Sequence, residues 1–292
     1  MPKSALLLLS HVVELEIYRH YERLESEKLP TQDLFFLCDN TNNAFDDRKD
    51  GPKYVIFTST HLQELGYPNK TGAPYPDDAR DENPHHKNFN MPPGNGDLPI
   101  LYFYRSHPNY DYYWVVEYDV RFSGHWSDFF AAFEHSTSDL LATTLCRFSE
   151  IPTWYHWDSL DLLDGPASKD GAIRGFFPVL RLSRRALEIL DETYSAGAGG
   201  HQECLMPTVL HRAGLSIEDI GGTGEFVKAG NENRFYSNTR DADHLSPGSF
   251  VFRPVKRRPG AKANKLWHPV KSRRLIERVT SRLTQPFNPS AK

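Results

Sequence analysis

The sequence is poor in cysteine: Cys38, Cys146 and Cys204 are the only three in 292 residues. Their number is odd, they lie far apart and no C-x-x-C pair occurs. That argues against a disulfide framework or a zinc ribbon and fits a reducing compartment. Long apolar runs are missing as well. The opening MPKSALLLLSHVV is too short to span a bilayer and lacks a convincing small-residue cleavage site, so it reads as a buried first strand. The expected location is cytoplasmic. Neither a G-x-x-x-x-G-K-S/T phosphate loop nor a Ser-His-Asp set is visible, which argues against a P-loop NTPase or a serine hydrolase. Close-spaced H-x-H, D-x-H and H-E-x-x-H patterns are not evident either. No internal repeat appears.

What is present is enough for a sizeable core. The chain is 39% hydrophobic and 13% aromatic, with 18 Phe, 14 Tyr and 5 Trp. Such rings bury large flat surfaces and also line sugar or base pockets. Charge is unevenly spread. Lys256–Lys292 holds eleven Lys or Arg and one acid, so this segment carries about +10 against −14 for residues 1–255. We therefore expect a domain over 1–255 and a basic tail over 256–292. Within the tail, Leu275, Val279 and Leu283 form one helical stripe among Arg273, Arg274, Arg278 and Arg282. A basic amphipathic helix of this kind can lie on an anionic membrane surface or dock on the acidic body. The acidic body and the lack of a recognition motif argue against nucleic acid as a partner.

Apolar runs predict strands at 6–9, 33–38, 54–57, 112–120, 140–144, 176–182, 215–220 and 249–255. Helical spacing predicts helices over 12–28, 61–65, 184–194 and 201–212, with an apolar and aromatic segment at 100–107. Ser183 reads as a helix cap. Residues 67–99, rich in Pro, Asn, Asp and Gly, read as a long loop with at most short helical turns, and His85-His86 within it as exposed. Strands alternating with helices imply a layered α/β fold with a mainly parallel sheet.

The segment with most chemistry is Glu117-Tyr118-Asp119, at the end of an aromatic and valine-rich strand. Strand positions i and i+2 share a face, so both acids project together near a carboxyl end, where open α/β sheets place ligands. Two convergent carboxylates suit Mg²⁺ or Mn²⁺, with a diphosphate completing the shell. Ion pairs with Arg121 and other bases are the alternative use of the same acids. A second candidate is Gly199-Gly200-His201-Gln202-Glu203, where a glycine joint delivers His201 and Glu203 to a helix start.

The run Trp114-Val-Val-Glu-Tyr-Asp-Val-Arg-Phe-Ser-Gly-His-Trp126 resembles the signature of a fungal family of glycosyltransferase-like proteins of unknown function. It is similar, more loosely, to the D-x-D region of GT-A-fold glycosyltransferases, with Glu117 standing where those have Asp. The resemblance implies a GT-A-like, Rossmann-type α/β/α domain, its nucleotide-sugar half over about 1–125 and its acceptor half over about 126–255. It implies Glu117, Asp119 and the late His268 as ligands of Mn²⁺ or Mg²⁺. Ser10, His11 and Asp39 would border base or ribose, and Arg121 and Lys265, with Lys262 and Lys271 nearby, would reach the diphosphate. Glu203 would take the acceptor's proton, and a glycan or a lipid-linked glycan would be the acceptor. Each of these residues also has a structural reading, as turn former, helix cap or ion-pair partner. The functional alternatives are a metal-dependent phosphoesterase using the same acids and a non-catalytic carbohydrate-binding protein.

Overall fold

The structure is a computed structural model that describes residues 2–41, 52–71, 94–163 and 169–272. In chain order the elements are β1 (Ser4–Ser10), α1 (Leu15–Glu27), β2 (Gln32–Asp39), β3 (Tyr54–Phe57), α2 (Ser59–Gln63), α3 (Pro68–Thr71) and α4 (Asp97–Ser106). There follow β4 (Tyr112–Glu117), β5 (Arg121–Phe122), α5 (Trp126–Ala131), β6 (Leu140–Arg147), β7 (Ile173–Ser183), α6 (Arg184–Ser195), α7 (Gln202–Arg212), β8 (Ile217–Asp219) and β9 (Leu266–Trp267).

Seven strands form one sheet in the order β3-β2-β1-β4-β7-β6-β8, and β5 and β9 form a separate ribbon. Neighbours in the large sheet pair in parallel, except that β7 runs antiparallel to both β4 and β6. β1 is an interior strand, and Leu6, Leu7 and Leu8 are sealed from solvent. Each such burial is worth ~1.5–3 kcal/mol, which favours a continuous apolar run where both faces are covered.

Alternation along the strands divides the core into two layers. Leu6, Leu8, Trp114 and Val116 pack with Ile17, Tyr21 and Leu24 of α1 and with the rings of α5. Ala5, Leu7, Tyr113 and Val115 pack with α4, α6 and α7 on the other face. The fold is thus a layered, Rossmann-like α/β/α arrangement with a mostly parallel sheet. Many of the aromatics are spent here: Trp126 stacks on Phe130 at 5.6 Å, and Phe129 meets Phe235 edge-on at 5.2 Å. Ser183 caps α6 as expected, its Oγ accepting from Ala186 N at 3.0 Å.

Four expectations change. β4 stops at Glu117, because Val120 N turns back onto the Glu117 carbonyl at 3.0 Å. The strand expected over 215–220 is the shorter β8, and α5 joins the predicted helices. Residues 249–255 do not form a strand, since Phe250 makes only an isolated bridge to His268. The described residues after 255 are hydrogen-bonded to the rest of the fold. There Lys256 N donates to Pro269 O at 2.8 Å, Val270 N to Asp119 O at 2.8 Å, and β9 pairs with β5. The amphipathic stripe from Arg273 onward, and His85-His86, lie outside the described residues.

Candidate functional site

From β1 the chain steps outward to β2 and β3, then returns to β4 on the other flank of β1. The order reverses between β1 and β4, and a crevice outside the carboxyl ends at such a point is where open α/β sheets bind ligands. Glu117 is the last residue of β4 and shares the face of Tyr113 and Val115, the face that α7 covers. Asp119 sits one turn further, outside the strand, so a turn rather than strand alternation brings the two acids together.

The late segment supplies the third group. His268 N donates to Ser249 O at 3.0 Å, and the ring lies against Phe176 and Phe250 at 5.3 and 5.4 Å. Its Nδ1 is 2.7 Å from the Val251 carbonyl. A carbonyl only accepts, so Nδ1 carries the proton and Nε2 is the ring nitrogen left to face the acids, able to offer a lone pair to a cation when the ring is neutral. That Nε2 lies 3.5 Å from Asp119 Oδ1 and 3.9 Å from Glu117 Oε2. One ligand atom from each of Glu117, Asp119 and His268 lies within 4.8 Å of the others. Asp119 Oδ1 is buried and has no hydrogen-bond partner. A buried carboxylate oxygen left so costs desolvation with no return. Two carboxylates and an imidazole nitrogen grouped around that oxygen fit a divalent cation such as Mn²⁺ or Mg²⁺.

Lys271 stands on the other side of Asp119, its Nζ 3.3 Å from Oδ2 and 2.9 Å from the Tyr118 hydroxyl. Burial opposes the Asp119 charge, but His268 and Lys271 outweigh it and hold the carboxyl well below the usual range. Burial likewise opposes the Lys271 charge, and Asp119 and Tyr118 more than compensate, raising it. Glu117 is pushed up to about 7, first by burial and then by the Asp119 charge. Its side chain remains 33% accessible, against 4% for Asp119 and 7% for His268, so Glu117 marks the open side of the cluster.

α7 begins at Gln202 with His201 as its cap, Nδ1 accepting from Glu203 N at 3.3 Å. Burial holds His201 well below the ordinary imidazole range, with His156 and Lys70 adding to the effect, so it accepts as a neutral ring. Glu203 is pushed up to about 8 by burial, with Arg174 opposing and Glu117 adding. Gly200 precedes the cap with φ +125°, and a Cβ there would lie 2.5 Å from the Ser159 carbonyl, so only glycine fits this joint.

The other sequence candidates divide. Ser10 ends β1 with its hydroxyl closed on Val12, donating to the carbonyl at 2.7 Å and accepting from the amide at 3.0 Å. His11 stands edge-on to Tyr118 at 4.8 Å, beside the acids. Asp39 accepts from Thr41 N and Oγ1 at 2.9 and 2.5 Å, a turn-forming role. Arg121 gives its guanidinium to the Tyr118 and Val120 carbonyls at 2.6 and 2.8 Å, bracing the turn instead of pairing with the acids by hydrogen bonds. Lys265 is spent on the Asn233 and Arg234 carbonyls, so Lys271 is the lysine at the cluster.

Two parts escaped the sequence reading. Arg174 lies in β7, 6% exposed, with its guanidinium 4.9 Å over the Trp154 ring and donating to Arg240 O at 2.7 Å. An arginine beside a mostly apolar run, which also holds Arg181, was its available signal. The Lys70–Asp97 pair, 2.8 Å apart, is fully enclosed, and Lys70 also donates to Gly200 O at 3.2 Å. Asn69 Nδ2 donates to Gly197 O at 2.5 Å. α3 therefore pins the glycine joint that delivers Glu203, and nothing in the loop-like composition around Lys70 announced it.

No protein with a curated description matches the chain in sequence. Two solved structures of HddC from Yersinia pseudotuberculosis, one of them complexed with GMP-PN, align with 64% of this chain and 79% of theirs at 12% identity. Their TM-scores are 0.31 and 0.30. At that distance the likeness says nothing about activity. Residues 57–139, which contain α4, β4, Glu117 and Asp119, match the family described as "Protein of unknown function (DUF3405)".

Proposed function

We propose that the chain is a glycosyltransferase of the GT-A-fold kind, moving a sugar from a nucleotide-sugar donor to a glycan or lipid-linked acceptor. The observation that carries this reading is Asp119 Oδ1, buried and unpartnered, facing His268 Nε2 at 3.5 Å at the point where the strand order reverses. Glu117, Asp119 and His268 would hold Mn²⁺ or Mg²⁺, which when bound neutralises charge on a departing nucleoside diphosphate.

The chain's own residues supply the rest. The ends of β1 and β2, with His11 beside Tyr118, form the side on which base and ribose would rest. Lys271 adds a positive charge near the departing phosphates. Glu203, held up at about 8 in a half-buried position, is the group placed to accept a proton from an acceptor hydroxyl.

The test is a thermal-shift screen against UDP, GDP, CDP and their sugars, with and without Mn²⁺. A metal-dependent rise with one nucleotide, absent in Asp119→Ala, is the expected result. A rise that persists unchanged in Asp119→Ala would remove the site from this reading.

A further inference from the structure

We propose that Lys271 couples cation and diphosphate binding: it is the resident counter-ion of Asp119 and turns to the diphosphate when a divalent cation takes its place. This rests on the metal reading of Glu117, Asp119 and His268. Asp119 is engaged from two sides, with His268 Nε2 3.5 Å from Oδ1 and Lys271 Nζ 3.3 Å from Oδ2. Without a cation, Lys271 supplies the positive charge that a buried carboxylate needs. A cation among the three ligands would satisfy the same carboxylate and would stand within a few ångströms of the ammonium. Two positive charges then compete for one anion, and the repulsion makes the cation bind less well than the ligand set alone would allow.

A diphosphate resolves the conflict. Lysine has three donors, and Nζ already holds the Tyr118 hydroxyl at 2.9 Å. The Tyr118 ring meets His11 at 4.8 Å, which sets the Lys271–Tyr118 pair beside the residue that follows β1, where the proposed nucleotide would rest. Lys271 keeps a path to solvent, with 18% of its side chain accessible. It can therefore keep Tyr118 and exchange Asp119 for a phosphate oxygen. By linkage, nucleotide then tightens the cation and the cation tightens nucleotide by the same factor.

The experiment measures Mn²⁺ binding to the full chain by the loss of the free-ion electron paramagnetic resonance signal, alone and with UDP, GDP or CDP. Wild type is compared with Lys271→Met and Lys271→Gln, the latter retaining a donor for Tyr118. Near-UV circular dichroism checks each fold. We expect both variants to bind Mn²⁺ alone about tenfold or more tightly than wild type. Nucleotide should tighten Mn²⁺ in wild type and cease to do so in the variants. Variants that bind Mn²⁺ alone no better than wild type, or that keep the nucleotide effect, would overturn the proposal and leave the metal site standing. Absence of Mn²⁺ binding in wild type under all conditions would remove the metal site and this proposal together.

Discussion

His268 faces Asp119 with Nε2, 3.5 Å from Oδ1, because its other ring nitrogen is committed to the Val251 carbonyl at 2.7 Å. The orientation is fixed by backbone from a different loop, as it would need to be for an imidazole that holds a metal. His268→Gln should therefore weaken Mn²⁺ by about 10- to 100-fold. Asp119→Ala should weaken it further and abolish transfer. Titration calorimetry with Mn²⁺ checks both, and unaltered affinity in Asp119→Ala would end the assignment.

Glu203 gives a pH prediction on two levels. Its folded pKa, about 8, lies above the ordinary glutamate value of 4.5. Between those values the native protein holds a proton that the unfolded chain has released, so stability falls as pH rises through that window. Glu203→Gln should flatten the slope in urea melts taken from pH 4.5 to 8. If Glu203 is the proton acceptor, turnover should rise with pH up to about 8. The Gln variant should lose about 10²–10⁴ in rate while Mn²⁺ binding stays intact.

His20 gives the opposite slope. It is buried on α1 beside Trp126, and neither ring nitrogen has a hydrogen-bond partner. Burial, with Arg121 and Arg23 adding, holds it well below 6.5. The unfolded chain gains a proton below about 6.5 that the native state refuses, so stability drops as pH falls beneath that point. His20→Leu should remove this acid-side loss. It should also stabilise at neutral pH by about 1–3 kcal/mol, since the unpartnered nitrogens disappear. A lower melting temperature in His20→Leu at pH 7 would show that the imidazole has a partner.

Lys70 and Asp97 are a buried pair of which one member cannot be removed cheaply. Lys70→Met should cost about 3–5 kcal/mol by leaving Asp97 charged and enclosed. Adding Asp97→Leu should restore most of that. Chemical denaturation of the two variants reads the difference, and equal stabilities would show that Asp97 finds another cation.

The sheet was legible because burial on both faces leaves a direct record: Leu6 to Leu9 and Leu34 to Cys38 are apolar without alternation. The cluster was legible for a similar reason, since two acids after Val115-Val116 break an apolar strand abruptly. What escaped depends on long-range closure. Asp119 leaves the strand in a turn that only the backbone bond from Val120 to Glu117 defines. Ser249, Phe250 and Val251 look like strand residues, yet Ser249 O and both backbone groups of Val251 serve His268, while Phe250 N and O are taken by Ser237 and Asn238. Lys265 and Lys271 are indistinguishable by composition, and the pairing of β5 with β9 sends one to a loop carbonyl and the other to Asp119. Lys70 took its meaning from Gly200, a contact between segments 130 residues apart.

The docking of residues 249–272 onto the turn after β4 has a consequence for how the chain matures. A polypeptide shortened before His268 would still contain β1, β4 and both acids, but Asp119 would lose its imidazole and its ammonium in one stroke. The carboxylates would then repel each other at the edge of an unfinished crevice. Possession of the acidic pair is therefore no measure of competence: the site comes into being only when distant stretches of one chain meet, and any agent that loosens the late segment silences it without touching the sheet.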